Sequence, residues 1–229
     1  MNSMANNNSK SKPALVRILT VIGMLLIGGA YFSPIWWVAL KAPNYPAETF
    51  PDGIRIHFHM NGVFNGCTSQ DKPKDSKAAK SAAWGDEEGG LDCVEEMNVI
   101  NHFIGMEPIE VGAKYEIKAA PYLFSLVGVM LLAFLFYAGP FWWVLPLSGI
   151  VIPVAFVIDY SAWLWWFGHN LRSWAAFSVK PFMPTVFGEG KVAQFGTFSY
   201  PHYGFGLLVA ASLCLMVALL LQRKALKSE

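Results

Sequence analysis

The sequence predicts a membrane all-α fold, four transmembrane helices carrying a small α+β extracytoplasmic domain between helices one and two. Three observations lead there. The 229-residue chain is 54% hydrophobic and 15% aromatic but only 14% charged, more apolar and less charged than a soluble domain. It contains four apolar runs that can cross a bilayer, where a helix needs ~20 residues at ~1.5 Å each to cover ~30 Å of hydrocarbon. Most of its charge is gathered into one stretch, residues 41–120.

Residues 1–13 end in Ser9-Lys10-Ser11-Lys12-Pro13 and lack an apolar period, so they read as a disordered cytoplasmic tail. Residues 14–40 carry a single charge, Arg17, near their start and form the first predicted helix. A secretory signal peptide would share the basic Lys10, Lys12 and Arg17 and the small Gly28 and Ala30. The apolar run continues past that point through Pro34-Ile35-Trp36-Trp37-Val38, however, and a Trp pair suits a membrane interface, which favours an uncleaved anchor. Residues 41–120 hold no spanning candidate and form the extracytoplasmic domain. Residues 121–138 and 141–158 are uncharged runs separated by Gly139-Pro140, a turn between antiparallel helices two and three.

Asp159 closes that hairpin. Residues 159–203 then read as an outer interfacial segment and loop, aromatic at first but interrupted by His169 and Arg172, and broken up by Pro181, Pro184, Gly188 and Gly190. Residues 204–221 form the fourth helix and 222–229 a cytoplasmic tail. Lys10, Lys12 and Arg17 at one end and Arg223, Lys224 and Lys227 at the other place both termini in the cytoplasm by the positive-inside rule. The expected setting is a bacterial inner membrane, with the lipid bilayer as first partner and residues 41–120 and 159–203 on the oxidising outer side.

Composition also excludes. A net charge of +1 with scattered basic residues offers no groove for nucleic acid. The chain has no C-x-x-C or C-x-x-C-H, which removes zinc ribbons, dithiol redox motifs and covalent c-type haem. It has no G-x-S-x-G, H-E-x-x-H or phosphate-binding Gly loop, so no enzyme is predicted.

All five histidines fall on the predicted outer side, as do Met60, Met97, Met106 and Met183. Imidazole and thioether suit copper in both oxidation states. In Ile54-Arg55-Ile56-His57-Phe58-His59-Met60 the alternation puts His57 and His59 on one strand face, ahead of the hairpin dipeptide Asn61-Gly62. Such a pair is a ligand platform for Cu or Zn, or else a solvated strand face. His102 and Met106 are four apart in a short helical stretch ended by Gly105 and Pro108, on one face by that spacing. They could complete the same site, or be a hydrogen-bonded His and a space-filling Met. Cys67 and Cys93 bracket the Lys-rich insertion and read as a disulfide, with thiolate ligation the alternative; Cys214 is a small residue inside a span. His169 and His202 lie near the ends of neighbouring helices, as axial ligands of a b-type haem do, or are interfacial histidines.

At Ala42-Pro43-Asn44-Tyr45-Pro46 and Asn101-His102-Phe103-Ile104-Gly105-Met106 the chain resembles a group of bacterial inner-membrane proteins. That group carries an Ala-Pro-x-Tyr-Pro element after its first span and Asn-His-x-Ile-Gly-Met before its second. The resemblance covers about residues 36–121. It implies association with copper-handling proteins of the nitrous oxide reductase maturation type, and hence a role in copper supply or metalloenzyme assembly, with His102 and Met106 as retained positions. The insertion between Cys67 and Cys93 and the Ala47-Glu48-Thr49-Phe50 stretch depart from the pattern. The functions the sequence leaves open are therefore a copper accessory protein, a haem-holding subunit of a respiratory complex, or a metal-free anchor for a periplasmic partner.

Overall fold

The computed structural model describes residues 13–48, 50–67, 92–176, 179–192 and 194–227. The predicted tail before Pro13 and the Lys-rich insertion lie outside them. The described chain forms six α-helices and one five-stranded sheet: α1 Ala14–Tyr31, β1 Trp36–Lys41, β2 Ile54–His59, β3 Gly62–Asn65, α2 Cys93–Ile104, α3 Lys114–Phe136, α4 Val144–Ile150, α5 Ile152–His169, β4 Gly188–Val192, β5 Phe195–Pro201 and α6 Tyr203–Lys227.

Helices α1, α3 and α6 are each long and apolar enough to cross a bilayer, and α4 with α5 makes a fourth span if the bent pair is counted as one. The protein is a multi-pass membrane protein by these helices. The 48° bend falls at Val151, next to Pro153, whose ring cannot donate a helical hydrogen bond and clashes with the preceding turn. Helices α1 and α6 run antiparallel: Val16 is buried with Ala218 and Phe134 at one end, Ala30 with Leu208 and Ile35 at the other. Gly23 lets them approach, since a Cβ there would lie 3.0 Å from the Leu215 side chain. Residues 14 and 227 thus share one end of the bundle, and the sheet sits at the opposite end.

The first helix is shorter than predicted. It stops at Tyr31, and the Trp36-Trp37-Val38 segment assigned to the membrane interface is the central strand of the sheet. Pro34 explains the stop, because it denies its N–H to the helix and biases the residue before it toward extended backbone. Strand β1 then alternates: Trp36 is 3% exposed, and Trp37 turns to the other face against Tyr200 and the Arg55 guanidinium.

The sheet is antiparallel throughout, in the order β3-β2-β1-β5-β4. Its residues come from three separated places in the chain, which corrects the expectation of a domain confined to residues 41–120. Strands β4 and β5 come from the stretch read as loop. Helix α5 also runs on to His169, so Asp159 lies within a helix and does not end one. The β2–β3 hairpin forms one residue earlier than the Asn61-Gly62 signal placed it: His59 pairs with Gly62, leaving Met60-Asn61 as the turn.

Helix α2 covers the inner face of the sheet, where Leu40, Ile54 and Ile56 pack with Met97, Ile100 and Phe195. Asp92 caps it, its carboxylate accepting from the Val94 and Glu95 N–H groups. A disulfide joins Cys67, just past β3, to Cys93 at the helix start. The Asn65 side-chain oxygen accepts from both cysteine N–H groups.

Candidate functional site

Period-two alternation in β2 sends Ile54, Ile56 and Phe58 to the inner face and Arg55, His57 and His59 to the outer. On the outer face the register aligns His57 with Trp37 of β1, and Trp37 with Tyr200 of β5. One step along, the His202 N–H donates to the Ile35 carbonyl, extending that register past the end of the ladder, while the Ile35 side chain turns into the core. On the outer face the His57 and His202 rings meet, 5.1 Å apart between centroids. His59 flanks the pair with its ring against Phe64, and its imidazole N–H donates to the Phe32 carbonyl.

The surroundings favour neutral imidazoles. Burial lowers the His57 pKa to about 4, helped by His202, Arg55 and His59. Burial and then His202 lower that of His59, against the hydrogen bond to Phe32; burial and then Arg55 lower that of His202. A neutral ring is the form that donates a lone pair to a metal. His202 Nδ1 accepts from the Tyr203 N–H, which puts the proton of the neutral ring on Nε2, so a metal at Nε2 requires the other tautomer and the loss of that hydrogen bond. Two imidazoles bound to one tetrahedral ion at ~2.0–2.1 Å hold their centroids about 5 Å apart, a spacing that the 5.1 Å between these rings matches. Among the described residues no group of three or more His, Cys, Asp or Glu side chains encloses a metal position. The structure thus supplies a two-imidazole pair with a third imidazole beside it.

The other expected ligands lie elsewhere. His102 and Met106 do not share a face, because Gly105 ends α2 with φ +81° and Met106 lies beyond the helix. The Met106 N–H donates to the Asn101 carbonyl and the Gly105 N–H to that of His102, the paired bonds of a Schellman helix end. The Met106 side chain is buried, whereas the exposed His102 ring stacks on Trp174 at 6.0 Å. The Asn-His-x-Ile-Gly-Met element is accounted for by this helix end. Tyr45 of the Ala-Pro-x-Tyr-Pro element packs over the same helix, its hydroxyl donating to Glu96.

His169 stacks on Trp165 at the end of α5. Phe156 of the same helix lies against Phe205, within a turn of His202, and His169 is about 20 Å further along α5. That arrangement gives no support to a haem iron shared by His169 and His202.

What holds the outer face in place is Trp36. Its ring packs among Phe156, Tyr160, Phe187 and Phe205, and its indole N–H donates to Ser199 Oγ, which donates in turn to the Val186 carbonyl. Strand β1 is thereby pinned to α5 and α6. The pairing of His57 with His202 was not foreseen, because Phe195–Pro201 was read as loop. Its alternation of Phe195, Thr197 and Ser199 against Phe198 and Tyr200 was the available signal. Comparison with protein families finds no model that matches the chain, and comparison with curated proteins finds no match.

Proposed function

We propose that the protein is a multi-pass inner-membrane accessory factor that receives and hands on copper during maturation of an envelope metalloenzyme. His57 and His202 are the ligand pair and His59 the adjacent donor. The observation that carries the reading is the meeting of His57 and His202 on the outer face of the sheet, with both rings biased to the neutral form. Three neutral donors beside the Arg55 guanidinium supply no negative charge, so a monovalent soft ion costs less there than a divalent one, which favours cuprous copper. When bound, copper would supply a labile, exchangeable centre; the chain's own residues orient the imidazoles and keep them unprotonated.

The orientation belongs to the same proposal. Arg223, Lys224 and Lys227 lie toward the far end of α6 from the sheet, which supports cytoplasmic termini and a periplasmic sheet. The Cys67–Cys93 disulfide is at home in that oxidising compartment.

The test is copper analysis of the detergent-purified protein after loading with Cu(I), beside His57→Ala, His202→Ala and His102→Ala variants. Copper at one equivalent in the parent, with affinity at least about tenfold weaker in the first two variants and unchanged in the third, is the expected result. A parent that stays metal-free after loading overturns the copper reading and leaves a docking anchor; loss confined to His102→Ala would relocate the site.

A further inference from the structure

The inner face of the same sheet opens onto a cavity of about 600 Å³ that runs down between α3 and α5. From α3 it is lined by a stripe from Glu116 to Val127, and from α5 by one from Ile152 to Phe167. At 1.5 Å per residue these cover about 16 and 22 Å of helix, more than half of a ~30 Å hydrocarbon layer. Almost all of the lining is aliphatic or aromatic. The cavity is open along one side, so an apolar occupant can enter it from the bilayer, and about 600 Å³ lies within the range of ligand sites.

Beyond His59, Asn101, Thr185, Thr197 and Ser199 near the sheet, the lining holds two carboxylates, Asp159 of α5 and Glu116 of α3, close enough to interact electrostatically. Neither has a hydrogen-bond or ion-pair partner among the described residues. A carboxylate within an apolar candidate span is retained at a cost and marks a site. Asp159 is partly buried without a donor, while Glu116 is exposed in the first turn of α3 between Lys114 and Lys118, and the two carboxylates facing the cavity disfavour an anionic head group there. Trp163 and Phe167 beside them offer aromatic faces to a polar group that carries protons.

We propose that this cavity binds a bilayer amphiphile with one long apolar chain and a non-anionic, hydrogen-bond-donating head, the chain lying between α3 and α5 and the head at Asp159 and Glu116. The chain enters from the lipid along the two helices, and the sheet with α2 closes the far side. His59 at the end of β2 edges the cavity, whereas His57 and His202 do not line it, and binding there does not depend on copper.

The experiment uses the full chain in phosphatidylcholine nanodiscs. Diazirine-bearing isoprenoid probes with an alcohol, an amine or a carboxylate head are photolysed in place and the labelled residues mapped by mass spectrometry. The expected result is labelling of the α3 and α5 stripes by the alcohol or the amine, about tenfold above the carboxylate probe. Ala155→Trp, which fills the cavity from α5, removes that labelling while leaving the lipid-facing Leu25 of α1 labelled as before. Asp159→Asn keeps the labelling but erases the preference over the carboxylate. Equal labelling of Leu25 and the stripes, or labelling indifferent to Ala155→Trp, shows bulk lipid only and overturns the proposal, as does a carboxylate probe that labels as well as the others. Whichever of alcohol and amine labels more strongly identifies the head group.

Discussion

The two faces of one sheet differ completely, although both are written into the same six residues of β2. The outer face carries Arg55, His57 and His59 beside Trp37, Tyr200 and His202, a polar and aromatic surface whose imidazoles are biased against protonation. The inner face carries Ile54, Ile56 and Phe58, with Thr197 and Ser199 of β5, above α2 and a mostly apolar cavity that also holds the carboxylates of Asp159 and Glu116. The difference teaches that a period of two is enough to build two chemically unrelated surfaces back to back, provided that the central strand is held rigidly. Here Trp36 does the holding.

The largest expected effect breaks both faces at once. Trp36→Ala removes a buried indole from among four other aromatic side chains and takes away the donor to Ser199 Oγ, a change of the kind that costs about 3–5 kcal/mol. Urea unfolding in detergent should show that loss, and the surviving folded protein should lose Cu(I) affinity and cavity labelling together. A loss of one without the other would show that the faces are held independently. The next effect separates them. Cys67→Ser with Cys93→Ser frees β3 from the start of α2, which closes the inner face, and a disulfide of this kind is worth about 2–4 kcal/mol. Stability should fall by that amount while the His57–His202 pair, on β2 and at the β5–α6 junction, keeps its copper affinity.

How far the sequence could have led to this is seen best in particular segments. The spans were legible because apolar length is a local property: α3, α6 and the hairpin into α4 lie near their expected places, as does the short helix α2. Trp36-Trp37 was misread because an amphipathic strand adjoining an apolar helix looks, in one dimension, like more of that helix; only Pro34 marked the boundary. The site was half legible. Alternation put His57 and His59 on one face, but their partner His202 is far away in the chain, and an antiparallel pairing across such a distance leaves no periodic trace. His102 and Met106 had the right helical spacing, yet Gly105 in the left-handed region ends that geometry between them. The cavity depends on how α3 and α5 diverge, which neither helix encodes alone.

The smallest expected effect touches the outer face only and gives it a pH signature. In the metal-free protein the His57 pKa falls from the ordinary 6.5 to about 4, chiefly through burial, with His202, Arg55 and His59 adding to it, and those of His59 and His202 move the same way. Above about pH 6.5 the ring is neutral folded and unfolded, and stability is flat. As pH falls from 6.5 toward 4 the unfolded chain takes up a proton that the folded protein refuses, so stability drops across that window and levels off below it. The full shift would be worth about 3 kcal/mol, and solvent screening at a half-buried ring leaves about 1–2 kcal/mol. Unfolding midpoints between pH 4 and pH 8 should follow this slope in the parent and lose most of it in His57→Gln. The disulfide-free variant should keep it, because the bond lies on the other side of the sheet. A slope that disappears with the disulfide would mean that the imidazoles owe their burial to α2, and that the two faces are one unit.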